Sequence, residues 1–86
     1  MNLLFSPQAW EDDLYWQQND RRMVKKIHGM IKEIARHPYE GTGKPEALKY
    51  ALSGFWSRRI SSEHRMVYQV VDGTIRMAQL RYHYGE

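Results

Sequence analysis

Arg81, Tyr82, His83 and Tyr84 put a guanidinium, an imidazole and two phenols into four consecutive positions at the end of an apolar run. Chain ends are normally where order relaxes, so reactive side chains concentrated there are informative. The same chemistry recurs upstream in Lys44-Pro45-Glu46, Lys49, Arg58-Arg59 and His64-Arg65. A carboxylate, a histidine and several cations suit cleavage of a phosphodiester without a metal ion.

That reaction needs few groups. A base takes the proton of a ribose 2′-hydroxyl so that the oxygen can attack the adjacent phosphorus. Cations hold the phosphate as charge grows on its oxygens, and an acid protonates the departing 5′-oxygen. Glu46, between Pro45 and Ala47 and flanked by Lys44 and Lys49, is the candidate base; the alternative is an ordinary loop glutamate. His83 is the candidate acid, because imidazole titrates near neutral pH; the alternative is a histidine packed on Tyr82 or Tyr84. Arg59 and Arg65 are candidate phosphate holders, or else they pair with Glu63 or guard a sheet edge. Among Phe55, Trp56, Tyr68, Tyr82 and Tyr84, all able to stack on bases, only Tyr84 is kept as a functional residue.

Other chemistries fit poorly. Gly41-Thr42-Gly43-Lys44 lacks the spacing and the strand–loop–helix setting of a phosphate loop. The four histidines have no cysteines and no i,i+4 partner, so no metal or other cofactor is expected. No nucleophile-elbow motif accompanies the serines. Without cysteine, stability must come from packing. No stretch approaches the roughly 20 apolar residues that span a bilayer, and Met1 to Pro7 lack the pattern of a signal peptide. A soluble cytoplasmic protein is expected. The net charge is +3. Acids cluster at Glu11, Asp12, Asp13 and Asp20; bases follow at Arg21, Arg22, Lys25, Lys26, Lys32 and Arg36. That second run is either a solvated helix face or a surface for nucleic acid.

The elements that must position these residues read as one domain over 1–86 of the α+β class: a short strand, two helices, then antiparallel strands in one sheet with the helices on one face. Asn2 to Phe5 is the first strand. Ser6 caps a helix with Pro7 at its first position, running to about Gln18 with Trp10 and Leu14 on one face. Asp20 caps a second helix to about His37, where Met23, Val24, Ile27, Met30, Ile31 and Ile34 form a core stripe. Residues 38–47 read as a loop. Strands are expected near 48–52, 55–60, 64–71 and 74–82, with Ser53-Gly54 and Asp72-Gly73 as turns. If Asp72-Gly73 is a two-residue turn, strict alternation sends Arg65 and His83 to opposite faces. A bulge, a longer loop or departure from strand geometry near Arg81 must reunite them, and the last is expected. Tyr82 to Tyr84 are expected to be loosely held.

Gly41-Thr42-Gly43-Lys44-Pro45-Glu46-Ala47-Leu48-Lys49, then Leu52-Ser53-Gly54-Phe55-Trp56-Ser57-Arg58-Arg59-Ile60, Glu63-His64-Arg65-Met66-Val67-Tyr68 and the ending Arg81-Tyr82-His83-Tyr84 closely resemble the YoeB toxins of the RelE superfamily. Asp20 to Ile27 and the Trp10…Tyr15-Trp16 pattern are similar too. The resemblance covers essentially the whole chain. It implies a RelE-like fold and a toxin of a type II toxin–antitoxin system that enters the ribosomal A site on the 30S subunit and cuts mRNA there, stopping translation. It assigns the base to Glu46, the acid to His83 and the phosphate-holding arginine to Arg65, with Lys49, Arg59 and Tyr84 in support. It implies a YefM-type antitoxin whose acidic C-terminal segment folds over the basic site, and a homodimer helped by the aromatic first helix. No membrane association is implied. Gly85-Glu86 extend beyond the family's final tyrosine and read as a tail. The alternative from another class is a non-catalytic basic module that binds ribosomes or nucleic acid; a third is an inert partner in a complex.

Overall fold

The computed structural model describes residues 1–83. Two helices, α1 (Pro7–Asn19) and α2 (Arg21–Arg36), stand between the strand β1 (Asn2–Phe5) and the strands β2 (Glu46–Ala47), β3 (Trp56–Arg59), β4 (Arg65–Val71) and β5 (Thr74–Gln79). The sheet order is β1-β5-β4-β3-β2. All neighbours are antiparallel except β1, which pairs with β5 in parallel at the edge. The strands after the helices are antiparallel, as expected, and the parallel edge strand β1 makes the sheet mixed.

Both helix starts follow the capping logic. The Ser6 hydroxyl accepts the Ala9 N–H, and Pro7 needs no partner for an N–H it lacks. The Asp20 carboxylate accepts from the N–H groups of Arg22 and Met23. In α2, Ile27, Met30, Ile31 and Ile34 are buried, with Met23 and Val24 packed against them. They meet Ile60, Met66, Tyr68, Ile75, Met77 and Leu80 from the sheet.

In α1 the expected face is wrong. Trp10 is 51% exposed and stands edge-on to Phe5, while Ala9, Asp12, Asp13 and Trp16 are buried. The carboxylates are inside because they are used. Asp12 accepts the Leu80 N–H at 2.9 Å and a Gln8 amide N–H, and Asp13 pairs with His28 at 2.8 Å. Hydropathy cannot foresee a buried carboxylate that has a partner.

The strand expected near 48–52 is also absent. Its place is taken by the two-residue β2 and a 3₁₀ turn over Tyr50–Leu52. Tyr50 has φ +57°, and bonds from Leu52 N–H to the Lys49 carbonyl and from Phe55 N–H to the Leu52 carbonyl fold the segment onto itself. The last strand stops at Gln79 and does not reach residue 82. The Asp72-Gly73 turn is as read, with both residues at positive φ (48° and 71°), the primed geometry that fits strand twist.

Candidate active site

The site residues are sorted by strand alternation. In β3, Trp56 and Arg58 turn toward the helices, as does Ile60 just beyond the strand, which leaves Ser57 and Arg59 on the open face. Directly paired residues share a face, so Arg59↔Arg65, Ser57↔Val67 and Glu46↔Ser57 place Glu46, Arg59 and Arg65 together. They line an open cleft of about 370 Å³ with Lys44, Pro45 and Ser57. Glu46 lies in β2, one residue past the proline, where a loop had been expected.

The cleft is built on backbone anchors. Gly43 has φ +88°, and its carbonyl accepts the Arg59 N–H at 2.7 Å. A Cβ there would stand 2.7 Å from the Arg59 carbonyl oxygen, so only glycine allows the loop to lie this close to β3. The next residue, Lys44, also adopts positive φ, at 53°. Arg65 is held through Nη1, which donates to the carbonyls of Ser61 at 2.9 Å and His64 at 3.2 Å. Its Nε and Nη2 have no hydrogen-bond partner among the described residues, a free edge suited to an oxyanion.

Arg58, next to Arg59, has a different fate. It is fully buried, and its five N–H donors go to the Tyr68 hydroxyl, the Glu33 carboxylate and the carbonyls of Thr42, His37 and Glu40. The Tyr68 hydroxyl donates in turn to the Pro38 carbonyl. Glu33 also accepts the Thr42 N–H and hydroxyl, and these bonds, the backbone one first, hold its carboxyl below the usual range. Burial pushes the Tyr68 phenol upward. This cluster fixes residues 37–42, and through them Gly43, Lys44 and Glu46.

The C-terminal residues reach the open face in two steps. A bulge between Val67↔Gln79 and Tyr68↔Met77 adds one residue to β5 and reverses its parity, so Leu80 enters the core and the chain beyond it comes over to the side of Arg65. The chain then leaves strand geometry after Gln79. Departure from the strand was expected, but the bulge precedes it, because without it the apolar Leu80 would face water.

The expectation that this segment is loosely held is not met for its described part. Leu80 is gripped by Asp12 at its N–H and by Trp16 Nε1 at its carbonyl (2.9 Å each). The Gln79 amide donates to the carbonyls of Arg81, Tyr82 and His83 at 2.7–3.2 Å. The Arg81 guanidinium lies 3.5 Å from the Tyr15 ring centroid and 4.5 Å from that of Tyr82. Tyr82, at φ +61°, donates its N–H to His64 Nδ1 at 2.8 Å and accepts the Arg65 N–H at 3.0 Å.

Of the expected site residues, Glu46, Arg59 and Arg65 converge. Lys49 is exposed at the head of the 3₁₀ turn and does not line the cleft. His83 is exposed beyond it, joined to Arg65 by the Tyr82–Arg65 backbone bond. Tyr84 and Gly85-Glu86 lie outside the described residues. Ser57 and Gln79 were not anticipated, and His64 was noted beside Arg65 but given no role. Only the register could reveal Ser57, whereas the adjacency of His64 to Arg65 was a readable signal. Burial lowers the His64 imidazole below its ordinary value; Glu63 and Asp12 oppose that shift, and Arg81 and His83 add to it.

A small α+β domain with a basic cleft on its open sheet face, opposed by one carboxylate, presents a surface suited to an anionic ligand. Residues 5–84 match the family described as the YoeB-like toxin of bacterial type II toxin–antitoxin systems, and the chain belongs to that family. It is 57% identical over 84 residues to the toxin YoeB of Escherichia coli K12, covering 98% of this chain and all of the relative. A YoeB dimer from Staphylococcus aureus superposes with a TM-score of 0.91 at 55% identity, covering 98% of each chain. A heterotetrameric YoeB–YefM toxin–antitoxin complex from the same organism gives 0.90 at 55%, again with 98% of each chain.

Proposed function

We propose that this chain is a ribosome-dependent endoribonuclease that cuts mRNA in the A site and stops translation. The observation that carries the reading is the placement of Glu46 in one cleft with Arg59 and Arg65, beside a C-terminal segment anchored to Arg65. Glu46 takes the 2′-hydroxyl proton, Arg65 receives the phosphate oxygens with its free edge, and His83 protonates the 5′-oxygen as the bond breaks. Arg59 adds charge along the cleft. Lys49 acts from the rim on a longer RNA, and Tyr84 supports the substrate. The step requires no metal or cofactor.

The products follow from the chemistry: a 2′,3′-cyclic phosphate upstream and a 5′-hydroxyl downstream. Mapping mRNA ends on programmed ribosomes tests this. Cuts with 5′-hydroxyl ends at the A-site codon are expected. Stalled ribosomes carrying intact message would instead favour the non-catalytic binding module.

The partners follow from the same surface. A YefM-type antitoxin with an acidic segment covers Arg59, Arg65 and the C-terminal residues, so inhibition is direct competition with RNA. Self-association uses the apolar edge of Leu3, Leu4 and Trp10, each about half exposed. Ribosome binding places the protein in the cytoplasm, and no helix among the described residues is long and apolar enough to cross a membrane. The whole chain acts as one domain.

A further inference from the structure

Tyr82 sits at φ +61°, a left-handed conformation that a bulky residue adopts only when its surroundings enforce it. Two successive residues do so. His64 accepts the Tyr82 N–H at Nδ1 (2.8 Å), and Arg65 donates its own N–H to the Tyr82 carbonyl (3.0 Å). The imidazole is itself set in place. It stands edge-on to Trp16, with centroids 4.9 Å apart and planes at 85°, and Trp16 is tied through Nε1 to the Leu80 carbonyl. The Tyr82 ring lies tilted against it, with centroids 5.6 Å apart.

We propose that His64 is a positioning residue: by accepting the Tyr82 N–H it fixes the turn that carries His83 against the strand that carries Arg65. The inference rests on the reading of His83 as the acid and deepens it. An acid and a phosphate-holding cation must keep a set separation, and a displacement of about 1 Å can cost on the order of 100-fold in rate. Here the main chain of Tyr82 is bonded to two adjacent residues, through its N–H to the His64 ring and through its carbonyl to the Arg65 N–H, so His83 follows Arg65. Accepting at Nδ1 also dictates the tautomer. The neutral ring carries its hydrogen on Nε2 and must remain neutral for the bond to persist, which the burial of His64 favours.

Three substitutions test the role. His64→Leu removes the acceptor. His64→Asn keeps one, because its Oδ1 is attached to Cγ as Nδ1 is. His64→Gln carries the amide one methylene further out and serves if the leucine variant does not fold. Single-turnover cleavage on programmed ribosomes should fall about 10- to 100-fold in His64→Leu or His64→Gln, with ribosome affinity within about twofold. His64→Asn should stay within about threefold of wild type. In a His83→Gln background His64→Leu should cost nothing more, since there is no acid left to misplace. Independently of activity, the Tyr82 amide proton should exchange at least about tenfold faster in His64→Leu and remain protected in His64→Asn.

Cleavage by His64→Leu at the wild-type rate, an equal loss with and without His83, or an unchanged Tyr82 amide would each overturn the proposal. If His83→Gln cuts like wild type, the assignment of the acid falls instead. The Tyr82 amide then decides alone whether His64 holds the turn.

Discussion

Arg58 and Arg59 are neighbours in one strand and live in two different proteins, so to speak. Arg58 points to the helices, has no exposed surface, and spends every N–H on the 37–42 loop, Glu33 and Tyr68. Arg59 points to the open face and lines a cleft with Arg65 and Glu46. A buried guanidinium persists only when its donors are saturated, so the first arginine is committed to holding a loop. On the open face water solvates the guanidinium, so Arg59 needs no such saturation by protein acceptors. Scaffold and cleft therefore differ by a single step of strand alternation, and the buried arginine holds the loop that leads to Glu46.

If the open face holds the chemistry, the largest effect comes from Glu46→Gln. Single-turnover cleavage should drop by about 10²- to 10⁴-fold through loss of the general base. Stability should change by no more than about 0.5 kcal/mol for an exposed side chain. Cleavage near the wild-type rate would break the comparison at once, because the cleft would then lack a base.

Arg58→Leu probes the other side. Removing the fully buried Arg58 takes the donor from the carbonyls of His37, Glu40 and Thr42 and strips Glu33 of its ion pair, although Glu33 keeps its Thr42 bonds, at a cost of about 3–5 kcal/mol. Urea denaturation should show a midpoint shifted accordingly, and a variant as stable as wild type would refute a structural role for Arg58.

A smaller effect separates geometry from charge. Arg65→Lys keeps the cation but loses the planar fork, two of whose nitrogens are free among the described residues. Cleavage should fall about tenfold while ribosome binding holds, and an unchanged rate would reduce Arg65 to a point charge replaceable by Arg59.

The smallest effect is a difference in pH response. Burial keeps His64 neutral, so the unfolded chain takes up that proton first. Its contribution to stability is complete above about pH 6.5 and is lost as pH falls toward the depressed folded value. Glu33 is depressed for the opposite reason, by bonds to its charged form. The Arg58 cluster therefore keeps its stability above about pH 4.5 and loses it only as pH falls below that. Hydrogen exchange read residue by residue should show Tyr82 loosening at mildly acidic pH while the Thr42 amide remains protected. Simultaneous loosening would merge the two regions into one cooperative unit.

Much of this was legible in the sequence, because short-range rules govern it. The Ser6 and Asp20 caps, the stripe of α2 and the Asp72-Gly73 turn each depend on residues within a few positions of one another. Glu46, Arg59, Arg65 and His83 stood out through residue type and family resemblance. What stayed hidden depends on partners far along the chain. Asp12 and Asp13 look like surface acids until Leu80 and His28 arrive, 68 and 15 residues away. Trp10 and Trp16 are equally apolar, yet only Trp16 has a carbonyl waiting for its indole N–H. Arg58 and Arg59 are the same letter, and register alone decides which one faces the cleft. The bulge beside Gln79 is set by the need to bury Leu80, and it brings the C-terminal residues to the side of Arg65. The sequence by itself determined which chemical groups are present and where helices and turns begin, because those depend on local geometry. Tertiary structure decided which groups meet, because one residue of parity in a strand moves a charge from the core to the cleft.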